Sequence, residues 1–381
     1  MSRQDFVRRI PDSALHFGRS DGLWARLHID PLLLLILLLL SFYGLLVLFS
    51  GSGQSEATVK RQFVLNGLAF VAMLAVAQVD LKMLQRWAVW IYLGGLVLLL
   101  AVLLVGVEAK GATRWISLGS FRFQPSELMK LAMPTIVAAW FAKRAVPPRF
   151  SDIVACLFFV AIPVVLIFKQ PDLGTSILIA ASGLIVLFLA GLQWRYIIGA
   201  LVAVLASLWP LWHYFMKDYQ KQRVLTLLNP DADKLGAGWN IWQSKTAIGS
   251  GGIEGKGWLM GTQSQLDFLP ESHTDFIIAV LAEEFGLMGV CLLLGLYMLL
   301  ILRGLFIAWR ARNLFSKLLA GGITLTFFVY VFVNIGMVTG LLPVVGVPLP
   351  LISYGGTAVV TLLAGFGLLM AIATEKSTQD A

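Results

Sequence analysis

Charge is what this chain has least of: Asp, Glu, Lys and Arg make up 13% of its 381 residues, about half the share usual in a soluble globular domain. That shortage excludes an ordinary water-soluble enzyme, and a 58% hydrophobic content points to an integral membrane protein. Cysteine is almost absent. Cys156 and Cys291 lie inside apolar runs with no His or Cys at ligand spacing, so both are expected to be buried packing residues. There is no HExxH, no His and Cys cluster, and no GxSxG nucleophile elbow. The formal charge of +8 comes without a soluble basic domain, so it reads as membrane topology, and no nucleic acid partner is expected.

Apolar runs near the ~20 residues needed to cross a bilayer are abundant. They fall at about 31–50, 63–79, 87–107, 127–142, 151–168, 174–192, 195–216, 275–302, 317–339 and 355–373. The expectation is an all-α integral membrane protein of about ten transmembrane helices. The run at 127–142 is short and opens with Glu127 and Lys130. The first run is too long for a signal-peptide core and reads as a retained anchor.

Lys and Arg in short loops stay on the cytoplasmic side. Arg3, Arg8, Arg9, Arg19 and Arg26 precede the first run; Lys82, Arg86, Lys143, Arg144, Arg149, Arg195, Arg303, Arg310 and Arg312 then fall on that same side. Both termini are therefore expected in the cytoplasm. Residues 1–30 form an N-terminal tail, 31–373 one polytopic membrane domain, and 374–381 a C-terminal tail. The one long extracytoplasmic loop, at about 217–274, joins helices 7 and 8.

Within that loop, Trp239, Ile241, Trp242 and Ile248 suggest a short amphipathic helix at headgroup level. The glycine-rich GSGGIEGKGW fails the Walker pattern, because Ser250 and Gly257 stand where Gly and Ser or Thr are needed. Turn structure and a lipid-linked phosphate both remain as readings. Other outer segments are EAKGATRWISLGSFRFQPS, with Lys110, Arg114, Arg122, Trp115 and Phe121; KQPDLGT, with Lys169 and Asp172; and GLLPVVGVPLPLISY. The last has three prolines and no charge, so it is expected to be re-entrant or pressed against protein.

Acids at a membrane boundary need a reason, since an ionised acid at mid-bilayer costs about 2.5–3.5 kcal/mol on insertion scales. LPESHTDFIIAVLAEEFG holds Glu271, Asp275, Glu283 and Glu284 at the start of an apolar run. On a continuous helix Glu283 lies about 80° around from Asp275 and roughly 12 Å deeper, so these need not form one site. Glu283 and Glu284 read either as support for the site or as an internal pair holding another span. His273 reads as a loop hydrogen-bonder. In QPSELMK, Ser126 can cap a helix whose first turn carries Glu127 and places Lys130 on the same face. That pair is either a boundary ion pair or part of an outward cavity in which Lys130, Arg114 and Lys169 bind an anionic headgroup.

One carboxylate acting alone suits a particular chemistry. Glycoside hydrolysis usually needs an acid as well as a base. Transfer from a sugar pyrophosphate needs only a base, because the leaving group departs as an anion stabilised by cations or a divalent metal.

RWISLGSFRFQPSELMKL, KQPDLGTSILI, GKGWLMGTQSQLDFLPESHTDFIIAVLAEEFG and NIGMVTGLLPVVGVPLPLISYGG together resemble the SEDS family (shape, elongation, division and sporulation), and its elongation branch rather than its division branch. The resemblance runs from the first span to the last. It implies a peptidoglycan glycosyltransferase of the bacterial inner membrane that polymerises lipid II on the outer face, for cell elongation and rod shape. It implies Asp275 as the essential acid, with Arg114, Glu127 and Lys130 at the substrate cavity and Asp172 as a loop acid; Lys169 joins them, and Trp115, Glu271, His273 and Glu283 stand as supporting residues. Mg²⁺ or Mn²⁺ would assist, with Asp275 as a candidate ligand, and no organic cofactor is required. The implied partners are lipid II, the growing glycan strand, a class B penicillin-binding protein transpeptidase, other elongation-complex proteins and membrane lipids. A lipid II flippase and a non-catalytic membrane scaffold are the competing readings.

Overall fold

The computed structural model describes residues 24, 27–109, 112–118, 121–216, 237–265 and 271–375, with single positions at 218, 221 and 225. Arg3, Arg8, Arg9, Arg19, Arg26, Lys110, much of the 217–236 segment, residues 266–270 and the C-terminal residues beyond Glu375 lie outside the described residues.

Each apolar run folds as a helix. They are α1 (Pro31–Gly51), α2 (Glu56–Ala77), α3 (Leu81–Val105), α4 (Pro125–Phe141), α5 (Phe150–Lys169), α6 (Leu173–Leu189) and α7 (Trp194–Pro210), then, beyond the outer segment, α10 (Ile277–Arg310), α11 (Leu314–Val338) and α12 (Thr357–Ala373). Seven are long and apolar enough to cross a membrane, counting α7 with its π-helical extension to Tyr214; α4, α6 and α12 are each 17 residues. Polar caps start several of them: Asp30 on α1, Ser55 on α2, Asp80 on α3, Asp172 on α6 and Asn313 on α11 accept from backbone N–H groups of the first turn. Leu35, Phe42, Trp90, Val97, Phe158 and Trp309 face outward, a liability in water and the expected surface in lipid.

The core lies among α1, α2, α4, α6, α10, α11 and α12, where Leu37, Met73, Met129, Ile179, Leu293, Phe327 and Phe366 are buried. Of the candidate spans, α11 is the most enclosed, while α7 buries none of its residues.

Four expectations change. The chain is mostly helical but not all-α: residues after α3 form a three-stranded antiparallel sheet of β1 (Val107–Ala109), β2 (Ala112–Leu118) and β3 (Phe121–Phe123). Thr113, Trp115, Ile116 and the Phe121 and Phe123 aromatics favour extended backbone. Ser126 is not the α4 cap: Gln124 occupies that position, Pro125 takes the first helical one, and Ser126 is buried one residue further in. Cys156 is buried, but Cys291 is exposed on the outer face of α10. Finally, α10 is not continuous, because Gly286 has φ 62° and ψ −160° and splits it.

That break explains the glycine-rich segment. Helix α8 (Ala237–Gly251) buries Ile241, Gln243, Ser244 and Ala247 and leaves Trp239 and Trp242 exposed and stacked 5.9 Å apart, as an interfacial helix requires. The chain after it lies along the break, where Lys256 N donates to the Glu283 carbonyl (3.0 Å), Gly257 N to that of Glu284 (3.0 Å), Leu287 N to that of Gly252 (3.0 Å) and Met288 N to that of Ile253 (3.1 Å). A Cβ at Gly251, Gly255 or Gly286 would collide with the backbone opposite. The glycines permit this close approach, and a short helix α9 (Thr262–Gln265) follows.

Candidate functional site

Asp275 does not sit on a helix. Residues 271–276 form turns that lead into α10, with Phe276 at the cap position, so the helical-wheel relation between Asp275 and Glu283 does not hold. Glu271 shapes the turn: its carbonyl accepts from Thr274 N (3.1 Å) and Phe276 N (3.3 Å), and its carboxylate accepts from Thr274 Oγ1 (2.6 Å). His273 contributes its carbonyl to Tyr354 N (2.9 Å) and packs its ring edge-on against Tyr354 at 6.3 Å, as a loop residue.

The proline-rich loop after α11 is the hub of the site. It is pressed into protein, with Val347, Leu349, Leu351, Ile352 and Ser353 buried. Three consecutive residues meet three elements: the Val345 carbonyl lies against Gly174 at the start of α6, Gly346 lies beside the Asp275 carboxylate, and Val347 accepts from Asn334 Nδ2 (2.7 Å) on α11. A Cβ at Gly346 would stand 3.5 Å from Asp275 Oδ2. Tyr297 Oη fastens the same loop through the Pro350 carbonyl (2.6 Å).

Two ion pairs border this hub. Asp172 caps α6 through Thr175 N (3.2 Å) and Thr175 Oγ1 (2.9 Å), and meets Arg114 Nε of β2 at 3.5 Å and Gln124 Nε2 at 3.4 Å. Arg114 also donates to the Pro171 carbonyl (2.7 Å), which ties the sheet to the start of α6. Glu127 and Lys130 pair at 2.6 Å; Thr361 Oγ1 of α12 donates to the other Glu127 oxygen (2.9 Å), and the Lys130 ammonium lies 5.1 Å over the Tyr330 ring. Tyr330 is within electrostatic reach of Lys130, Glu127 and Asp172. Behind Glu127 and Lys130, Pro348–Leu351, Ser353 and Phe366 help to line a cavity of about 70 Å³.

Lys169 is exposed at the C-terminal end of α5, and Trp115 is half-buried in β2. Glu283 and Glu284 do not pair as a unit. The Glu283 carboxylate, fully buried, accepts from Lys256 Nζ (2.8 Å), Thr262 Oγ1 (3.1 Å) and Gln263 N (2.9 Å), while Glu284 accepts from Ser50 Oγ of α1. One acid holds the segment between α8 and α10 and the other holds α1. Among the described residues no three His, Cys, Asp or Glu side chains converge as a metal site. Sequence reasoning missed Asn334, Tyr330 and Thr361, whose meaning arises only from contacts with residues distant in the chain.

These features define a multi-pass helical membrane protein with acids and cations gathered round a buried, proline-rich loop. Within that class the family is specific: the FtsW/RodA/SpoVE family model, described as cell cycle protein, matches residues 30–378, and the chain belongs to this family. Peptidoglycan glycosyltransferase MrdB of Escherichia coli K12 is 54% identical over 353 residues, covering 93% of this chain and 95% of the relative. A probable peptidoglycan glycosyltransferase FtsW of Geobacter metallireducens is 37% identical over 361 residues, covering 91% and 95%. Among solved structures, a chain of a peptidoglycan synthase complex described as coordinating polymerization and crosslinking superposes with a TM-score of 0.81 at 33% identity, covering 91% of this chain and 98% of that one. The rod shape determining protein RodA of Thermus thermophilus gives 0.69 at 29%, covering 91% and 97%.

Proposed function

We infer that this chain is a peptidoglycan glycosyltransferase of cell elongation, polymerising lipid II into glycan strands by an inverting transfer in which Asp275 is the general base. Membership of the family and 54% identity to MrdB support the activity. The single observation that carries the role of Asp275 is its carboxylate, set at Gly346 in a turn that belongs to neither helix nor sheet.

Asp275 takes the proton from the 4-hydroxyl of the acceptor N-acetylglucosamine. The freed oxygen bonds to the anomeric carbon of the donor from the face opposite the leaving group. The bond from that carbon to the pyrophosphate oxygen breaks, and undecaprenyl pyrophosphate departs. Arg114, Lys130 and Lys169 supply positive charge to it. Since Arg114 and Lys130 already face Asp172 and Glu127, the pyrophosphate shares or displaces those acids. Mg²⁺ or Mn²⁺, when bound, would neutralise charge on the leaving group, with Asp275 as the candidate protein ligand.

The reading includes ten spans in one domain, 31–373, with tails 1–30 and 374–381 in the cytoplasm and the 217–274 segment outside. The site then opens on the outer face of the bacterial inner membrane. A class B penicillin-binding protein crosslinks the strands, which fits the superposition on a chain of a synthase complex. Strand formation from purified lipid II by the solubilised protein, with and without that transpeptidase and divalent metal, is the test. Long strands are expected. No strands in any condition, together with lipid II movement across vesicles, would establish a flippase instead.

A further inference from the structure

The turn that carries Asp275 poses a problem of backbone satisfaction. Buried carbonyl groups need partners, and a helix running back through residues 273–275 would satisfy theirs from the following turn. Here Ala279 N closes instead on the Phe276 carbonyl (2.9 Å), which leaves the three preceding carbonyls pointing away from α10. Each meets a donor from one neighbouring region. The His273 carbonyl accepts from Tyr354 N (2.9 Å), that of Thr274 from Ser353 Oγ (2.5 Å), and that of Asp275 from Asn334 Nδ2 (2.9 Å).

The two side chains are well suited to this task. Asn334 is fully buried, and its Nδ2 serves the Asp275 and Val347 carbonyls together. Two carbonyl acceptors demand the NH₂ end of the amide, so the group cannot flip. Ser353 Oγ donates to the Thr274 carbonyl while accepting from Leu349 N (2.8 Å), so it has one orientation as well. Both therefore register the Asp275 turn against the loop whose Gly346 adjoins its carboxylate.

We propose that Asn334 and Ser353 are positioning residues for the transfer reaction, holding the Asp275 carboxylate at the height from which it reaches the acceptor hydroxyl. This rests on the reading of Asp275 as the base. Neither side chain touches substrate; each acts through the backbone of the turn. A misplacement of about 1 Å can cost on the order of 10²-fold in rate, and that is the range at stake.

The test is steady-state polymerisation of lipid II by the full-length protein and its Asp275→Asn, Asn334→Ala, Asn334→Asp, Ser353→Ala and Ser353→Thr variants, with kcat normalised to the folded fraction. Wild type is expected to polymerise and Asp275→Asn to be inactive. Asn334→Ala and Ser353→Ala should lose about 10- to 100-fold in kcat with KM for lipid II within about threefold of wild type. Asn334→Asp should be at least as slow as Asn334→Ala, because it turns an acceptor toward two carbonyls. Ser353→Thr should recover most of the rate, since it keeps a hydroxyl that can donate to the Thr274 carbonyl and accept from Leu349 N. If Asn334→Ala does not fold, the Ser353→Ala and Ser353→Thr pair decides. Folded variants with kcat within twofold of wild type, or Ser353→Thr as slow as Ser353→Ala, would overturn the positioning role and leave Asp275 as the base. An active Asp275→Asn would overturn both.

Discussion

At the scale of single residues, the question is how a membrane interior tolerates charge. Glu127 and Lys130 answer it with a close pair, a second hydrogen bond from Thr361 and a ring beneath the ammonium. Breaking one partner of such a buried pair costs about 3–5 kcal/mol, whereas replacing both with apolar residues can be neutral. Glu127→Gln is therefore expected to lower the thermal midpoint of the purified protein strongly, and Glu127→Gln with Lys130→Met to restore much of it. Activity should stay low in the double variant if the pair also serves the substrate; near-normal polymerisation would reduce it to a structural bridge. Glu127, Lys130 and Asp275 were legible in the sequence because charge in or beside an apolar run stands out. Their partners were not: Thr361 and Tyr330 look like ordinary span residues, and Asn334 meets Asp275 across 59 residues of chain.

At the scale of elements, the apolar runs announced their helices, since a bilayer forces backbone groups to pair within each segment. The break at Gly286 gave no such signal, because the apolar run resumes directly after it and a single glycine in such a run does not by itself mark a break. What shows it is the segment 252–257 lying against the gap and exchanging backbone hydrogen bonds with it. Gly286→Ala combines a disfavoured backbone region, worth about 1–3 kcal/mol, with a collision against Gly255. It is expected to reduce folded yield and thermal midpoint, as measured by fluorescence-detected size exclusion; a midpoint equal to wild type would contradict the tight docking. The small sheet escaped the sequence reading for another reason. Strands of three and seven residues carry too little pattern to distinguish them from loop, although Trp115 and Phe121 were grouped in one segment expected on the outer side.

At the scale of the whole molecule, the account joins a topology to a reaction. The topology predicts that Lys169→Cys, in a Cys291→Ala background, reacts with an impermeant maleimide added to intact cells freed of their outer membrane, while Lys143→Cys reacts only after lysis. The opposite pattern would invert the protein and place the site on the wrong side for wall synthesis. Sequence motifs spread over the whole membrane region resembled one family, and the match across residues 30–378 bears that out. Motifs alone could not say how Asp275, Asp172 and the Glu127–Lys130 pair relate in space; the loop 345–353 does, since it lies beside Asp275 at Gly346, meets Gly174 two residues from Asp172, and shares a cavity with Glu127 and Lys130. The central claim is that Asp275 performs chemistry rather than holding the fold or the substrate. The most direct measurement takes one preparation of the Asp275→Asn variant and records both lipid II binding and strand formation against wild type. The account predicts binding within about threefold and no detectable strands, the split expected when an interaction acts on the transition state alone. A folded variant that binds lipid II and still forms strands at a rate near wild type would contradict it.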